Sequence, residues 1–292
     1  MKITQINIYP IKSLKGISLS ESVVERRGLR FDRRWMLTDK DGIFFTQREV
    51  PKMATISVDA DRSGLTVTAD GFPALRIPAE PDRGERRSVV VWASTVDAEV
   101  YIGEISEWFS EVLQRNCQLV RMPESSERYV NPRFNTGKDI VSFADGYPLM
   151  LIGEASLADL NEKIAEKAND HDKEPPFPLP MDRFRPNLVV KGSESFEEDK
   201  WRTIRIGVTL FRSTKPCERC VVTTVDQATG EFDGKEPLRT LASFRTAKNL
   251  LPDTYEKRGL SATAVLFGQN LLPENPGASV RIGNRVEVLE TY

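Results

Sequence analysis

The sequence predicts a mainly β protein, an antiparallel barrel-like fold with a few packed α-helices. Three observations predict it. Runs of four to seven residues rich in apolar and β-branched side chains recur at short spacing. Asp/Gly-containing turns separate several of them, and only three segments repeat apolar residues at helical spacing.

Ile6 and Ile8 alternate with polar neighbours in a first strand. Residues 34–38 and 43–46 flank Asp39-Lys40-Asp41-Gly42, a hairpin signal, and residues 65–69 precede a similar Asp70-Gly71 turn. Residues 89–92 and 96–102 extend the series. Ile105, Trp108, Phe109, Val112 and Leu113 then share one face of a helix. Residues 117–122 return to strand. The polar stretch 123–136 marks a boundary, dividing the chain into an N-terminal region, 1–122, and a second domain, 123–292.

In the second half Ser156 is expected to cap a helix that turns Leu157, Leu160 and Ile164 inward. Residues 170–180 are charged and dense in proline, which no helix tolerates, and are expected to form a loop containing an exposed His171. Residues 187–190, 203–211 and 221–225 are expected as strands, and Leu238, Leu241 and Phe244 as a short helix after Pro237. Residues 280–282 and 285–289 are expected to pair across Gly283-Asn284. Trp35 and Trp201 are assigned to the core or its rim.

At 292 residues, with 39% hydrophobic and 29% charged side chains, the chain can bury a substantial core. A net charge of −2 gives no global attraction to nucleic acid or an anionic membrane, so any anion site is local. Three cysteines, two of them close together, fit reduced intracellular thiols better than a secreted disulfide framework. No apolar span of about 18 residues occurs, and Met1-Lys2-Ile3-Thr4 leads directly into a strand. A cytoplasmic protein with neither leader nor membrane anchor is the expectation.

The chemistry concentrates in Lys215-Pro216-Cys217-Glu218-Arg219-Cys220. Arg212, Lys215 and Arg219 would favour the thiolate, the form that ligates metals. Three functional readings are open: a zinc site, a redox dithiol, or a single thiolate ligand. Structural zinc would have to recruit Cys117 and His171, because no second C-x-x-C or H-x-x-x-H exists. A thioredoxin-like dithiol would open a helix, whereas 221–225 is β-branched. A buried cysteine beside an exposed one is the plain structural alternative.

Neighbouring residues break the tie by resemblance. Lys215 to Asp226, KPCERCVVTTVD, resembles the cofactor motif of the MOSC family, named for the C-terminal domain of molybdenum cofactor sulfurase. Tyr9-Pro10-Ile11-Lys12-Ser13, Phe31-Asp32-Arg33-Arg34-Trp35 and Thr46-Gln47-Arg48 are similar to the family's N-terminal β-barrel region. Ser142-Phe143-Ala144-Asp145-Gly146-Tyr147-Pro148, Phe184-Arg185-Pro186-Asn187 and Phe267-Gly268-Gln269-Asn270 follow in order. The resemblance spans nearly the whole chain. It points to the bacterial reductases of N-hydroxylated compounds and the mitochondrial amidoxime-reducing component.

The resemblance implies an N-terminal MOSC β-barrel region followed by a MOSC domain that binds a molybdenum–molybdopterin cofactor. It implies Cys220 as metal ligand and catalytic residue, with Lys12, Ser13, Arg33, Tyr147, Arg185, Asn187 and Arg219 as cofactor contacts. Glu218 stands where mitochondrial members carry serine, so no hydroxyl contact is expected there. Arg48 is assigned either to cofactor or substrate, or to a surface pair with Glu49 or Asp41. Asp32 and Asp145 are expected in turns or caps, without catalytic roles.

The implied reaction reduces the N–O bond of small N-hydroxylated compounds by oxygen-atom transfer to molybdenum. The sequence has no ferredoxin-type cysteine run, so electrons are expected from a separate flavin or iron–sulfur donor. The alternative is a cofactor-binding or sulfur-carrier protein without reductase activity. Pyridoxal phosphate, which the sulfurase association brings to mind, is disfavoured because it needs a Schiff-base lysine in a much larger fold.

Overall fold

Lys2–Ile8 buries Ile3, Ile6 and Ile8, and this apolar set selects its partners. The strand pairs with Ile17–Leu19 on one side and with Leu188–Lys191 on the other, where Ile3 faces Val190. In the computed structural model, which describes residues 1–82, 84–169 and 178–292, these three open an eight-stranded sheet. It continues through Leu149–Gly153, Leu266–Pro273, Thr209–Glu218, Trp201–Ile206 and Val286–Thr291. His171 and most of 170–180 lie outside the described residues.

The expected antiparallel order has one exception in this sheet. Leu149–Gly153 runs parallel to Leu188–Lys191, because the chain between them contains the helix Glu154–Asn169 and returns as a crossover. Ser156 is not that helix's cap. It is fully buried in the first turn, where its hydroxyl donates to Glu198 Oε2 at 2.8 Å and accepts the Phe196 N–H.

A second layer pairs Trp35–Thr38, Gln118–Arg121, Ser94–Val100 and Arg86–Val91, all antiparallel. The meander Ser57–Asp61, Gly64–Thr68 and Leu75–Pro78 closes over a core holding Trp35, Phe45, Phe109 and Leu119. The helix Glu104–Leu113 packs Trp108, Phe109, Val112 and Leu113 into it, as the spacing predicts. Trp201 is buried in the core of the large sheet. No helix among the described residues is long and apolar enough to cross a membrane.

Local turn signals hold better than the pairings drawn from them. Asp39 accepts the N–H groups of Asp41 and Ile43, but the returning arm makes only a Thr38–Phe44 antiparallel bridge before Ile43 joins Val90. Residues 203–211 divide into Trp201–Ile206 and Thr209–Glu218, reversing at Gly207, whose φ is +60°. The turn at Gly283-Asn284 forms, yet its arms separate. Ser279–Arg281 pairs with Glu21–Glu25, and Val286–Thr291 with Trp201–Ile206, because Val280 and Val286 find their burial beside those strands.

The strand expected at 221–225 is instead a 3-10 turn, Val221–Thr224, followed by the two-residue strand Val225–Asp226. The hydroxyls of Thr223 and Thr224 donate to the carbonyls of Cys220 and Val221 at 2.9 and 2.8 Å. These local bonds offer the backbone an alternative to a sheet ladder, and they outweigh β-branching here.

All three cysteines are free thiols. Burial pushes the Cys117 thiol up to about 11. At pH 8 a neutral alkylating reagent is therefore expected to label Cys117 more than about 100-fold slower in native than in unfolded protein. Peptide mass spectrometry reads this directly, and equal labelling rates would contradict the buried assignment.

Candidate functional site

The first strand ends in Tyr9-Pro10-Ile11-Lys12, and this segment is laced to Arg33-Arg34-Trp35. Arg33 N–H donates to Tyr9 O, Trp35 N–H to Pro10 O, and Lys12 N–H to Trp35 O. The lacing brings Lys12 and Arg33 to one cleft. Its lining also contains Ser13, Tyr147, Arg185, Asn187, Arg219 and Cys220. All eight residues singled out in the sequence thus meet there, contributed by segments far apart in the chain.

Three of the cleft's cationic or polar residues sit on strained backbone. Seven non-glycine residues with positive φ occur among the described residues, and Ser13, Arg33 and Arg185 of the cleft are three of them. Arg185 precedes proline, where extended geometry is expected, but it adopts φ 54° and ψ 46°. Its N–H closes on Asp182 O, and its guanidinium donates to Leu14 O at 2.7 Å, so tertiary bonds hold the unfavourable conformer. The guanidiniums of Arg33 and Arg185 each lie 4.2 Å from the Tyr9 ring centroid.

The cations divide by partner. Arg33 donates from one nitrogen to both oxygens of fully buried Asp32, at 2.7 and 2.8 Å, and Asp32 also accepts the Tyr9 N–H. Asp32 sits in a turn, as expected, with its N–H on Leu29 O, and its side chain is in addition an ion-pair partner. Lys12 is buried, not a solvated surface cation; its ammonium donates to Phe143 O at 2.9 Å and pairs with Asp145. Arg185 and Arg219 have no carboxylate partner among the described residues. Burial pushes the Arg185 guanidinium down to about 10, which leaves it protonated at neutral pH. Arg219 donates to the carbonyls of Phe267 and Phe184 at 2.8 and 3.0 Å. Gly268 makes this possible, because a Cβ there would stand 2.7 Å from Ile152 and 3.3 Å from the Arg219 guanidinium.

Asp145 is an ion-pair residue rather than the turn or cap residue expected, and its side chain lies on the rim, 63% exposed. Desolvation raises its pKa, but Lys12, Arg48 and the Trp92 N–H outweigh it and hold the carboxyl below its usual range. Asn187 is already committed. Its carbonyl oxygen accepts the Met150 N–H and its amide donates to Asn7 O, so it ties adjacent strands together at the cleft wall. Burial, then Glu218, raises the Tyr147 phenol, which stays neutral across the physiological range.

Cys220 is half-buried and extended, at the entry to the 3-10 turn. Arg183 buttresses that turn through Thr224 O, Asp226 and Asp233. Of the cations expected to favour a thiolate, Arg219 lines the same cleft, whereas Arg212 pairs with Asp139 and Glu274 and Lys215 with Glu218. The cation in contact with the Cys220 thiol is Arg48, its Nη2 3.1 Å from Sγ. It pairs with neither Glu49 nor Asp41; its nearest carboxylate is Asp145, at 4.0 Å. Cys217 packs against the core around Phe184 and Phe267, and burial pushes its thiol up despite Arg219.

The chain rises through Glu218 as strand and is still extended at Cys220, which places the two cysteine Cα atoms on the order of 10 Å apart. A disulfide spans less than about 7 Å, so this C-x-x-C is not set to close on itself. No group of three or more His, Cys, Asp or Glu side chains that could hold a metal occurs among the described residues. The arrangement offers two half-buried thiols beside cations, Cys220 in contact with Arg48 and Cys217 packed against the core.

Three supporting residues escaped the sequence reading. Arg128 is buried and donates to the carbonyls of Ser142, Ala144 and Asp145, which fixes the loop bearing Asp145 and Tyr147. Arg183 and Trp92 are the others. Each works through long-range contacts, and neither carries a local pattern that announces it.

Known proteins resemble this chain over nearly its whole length. The model for the MOSC N-terminal beta barrel domain matches residues 1–116, and that for the MOSC domain matches residues 138–287. Mitochondrial amidoxime-reducing component 1 of Mus musculus is 33% identical over 98% of this chain and 82% of its own length. Mitochondrial amidoxime reducing component 2 of Homo sapiens is 32% identical over 97% and 82%. Molybdenum cofactor sulfurase of Oryza sativa subsp. japonica is 34% identical over 83% of this chain and 31% of its own length. With both domains matched in order and relatives of this extent, the chain belongs to the MOSC family.

Proposed function

We propose that this protein is a molybdenum-cofactor oxidoreductase that reduces small N-hydroxylated compounds with electrons from a separate donor protein. One observation carries the reading: the half-buried thiol of Cys220, in contact with Arg48, shares a cleft with two guanidiniums, Arg185 and Arg219, that have no carboxylate partner among the described residues. The relatives that are amidoxime-reducing components support it.

The donor set fits a phosphorylated pterin holding molybdenum. A thiolate suits such a metal as a soft ligand, and Arg185 and Arg219 supply forked donors for phosphate oxygens. Cys220 would hold the metal, with Lys12, Ser13 and Arg33 gripping the anionic group and Tyr147 offering a neutral phenol. Asn187 would act by fixing the wall. When bound, the group supplies two-electron oxygen-atom transfer chemistry.

The chain's own residues then bind and orient. Lys12 stays on the cleft wall because Asp145 and Phe143 O hold its ammonium. Arg33 keeps its angle because Asp32 takes one of its nitrogens, leaving the other directed toward Arg185 O at 3.4 Å. The two domains, divided near residue 122, share the work, with the basic clamp coming from both.

Protein produced with an intact cofactor pathway is expected to contain molybdenum and pterin near one equivalent, and to turn over an amidoxime when a generic reductase and electron carrier are added. Metal without turnover of any N-hydroxylated substrate would favour the carrier alternative. Absence of both metal and pterin would end the proposal.

A further inference from the structure

Arg48 is explained neither by a surface ion pair nor by core packing. Its backbone is set by the turn Thr46-Gln47-Arg48-Glu49, in which the Glu49 carboxylate accepts the Thr46 N–H and the Thr46 hydroxyl accepts the Arg48 N–H. Gln47 is fully buried, and its amide donates to Ser13 O at 2.7 Å and to Gln227. With both neighbours tied down, the Arg48 side chain is directed into the cleft. There the guanidinium lies 4.7 Å from the Trp92 ring centroid and 3.1 Å from Cys220 Sγ.

Trp92 is held as a fixed platform. It occupies the tip of the hairpin joining Arg86–Val91 to Ser94–Val100, at φ 55°. Its N–H donates to Asp145 at 3.1 Å, and its ring meets Phe44 edge-on at 5.1 Å. It is 44% exposed, so burial does not account for its orientation, whereas these contacts do. The hairpin, the turn at 46–49 and the Cys220 segment are separate parts of the chain, and they converge through one guanidinium.

Resting on the reading of Cys220 as metal ligand, we propose that Arg48 is a positioning residue that holds Cys220 Sγ toward the cleft for ligation. Trp92 and Asp145 fix the guanidinium in turn. A planar fork stacked on an indole keeps its direction, which a flexible ammonium does not. A wandering thiol costs metal affinity even though every ligand is still present.

The test uses Arg48→Gln, Arg48→Lys, Trp92→Ala and the Arg48→Gln/Trp92→Ala double variant, made with the cofactor pathway intact. Metal content is measured beside the melting temperature. Arg48→Gln is expected to lower retained molybdenum by about tenfold or more, with Arg48→Lys restoring part of it. Trp92→Ala is expected to lower it less, and the double variant no further than Arg48→Gln alone, because both act along one chain of contacts. Wild-type metal content in Arg48→Gln, or losses that multiply in the double variant, would overturn the proposal.

A second measurement is independent of the metal. In metal-free protein the ratio of Cys220 alkylation by iodoacetate to that by iodoacetamide cancels the thiolate fraction and reports the charge facing Sγ. Arg48→Gln is expected to lower this ratio about fourfold, the effect of one charge near 5 Å in water, while Arg48→Lys keeps it close to wild type. An unchanged ratio would show that Arg48 does not face Sγ. If wild-type protein holds no metal but the ratio falls, the cofactor reading fails while the Arg48–Sγ contact stands.

Discussion

Cys220→Ala is expected to leave the fold intact and to reduce retained molybdenum by more than about 100-fold, beyond the loss typical of a supporting residue. The Cys220 side chain is half-buried and meets the Arg48 guanidinium, so its removal opens no core cavity and the melting temperature stays within about 2 °C. Cys217→Ala is expected to behave in the opposite way. That side chain packs against the core formed by Met150, Phe184, Leu241 and Phe267, so alanine costs about 1 kcal/mol of stability while most metal is kept. Metal analysis and thermal melts of the two variants separate the roles. Complete and equal loss of metal from both would mean a dithiol site, and the single-ligand assignment would fall.

Asp32→Ala is expected to give the largest loss of stability, about 3–5 kcal/mol, because it strips the partner from a largely buried guanidinium. Arg33 is 14% exposed at its side chain and Asp32 is fully buried, so water cannot replace the lost carboxylate. The Tyr9 N–H loses its acceptor in the same step. Asp32→Asn, which keeps an oxygen for that N–H, is expected to lose less. Urea unfolding midpoints read both variants. A change below about 1 kcal/mol in Asp32→Ala would show that the pair is hydrated in solution, and the rigid placement of Arg33 would lose its support.

The fold class was legible wherever local periodicity and burial agree. The helix Glu104–Leu113 follows from five apolar positions on one face, and the turn at Gly283-Asn284 from its residue types. What failed was partner choice. The arms at 280–282 and 285–289 carry strand signals that say nothing of which neighbour each will join. At 221–225 the same limit appears in reverse, since β-branched composition suggests strand until the threonine hydroxyls find carbonyls one turn back.

The candidate residues were legible through motifs, but their states were not. The motif singled out Lys12, but only the fold shows its ammonium buried against Asp145 and Phe143 O. Arg185 looked extended because it precedes proline, and only the bonds to Leu14 and Asp182 hold it left-handed.

By itself the sequence determined the mainly β class, the turns at Asp39–Gly42 and Gly283-Asn284, the helix faces and the thiol motif, all properties of residues close together in the chain. Tertiary structure alone decided which cations are neutralised, which thiol packs against the core and which guanidinium meets Cys220. Arg48 meets Cys220 across 172 positions of sequence, and Lys12 meets Asp145 across 133. Such contacts form only when sheets from both halves have closed, and no periodicity of 2 or 3.6 residues records them.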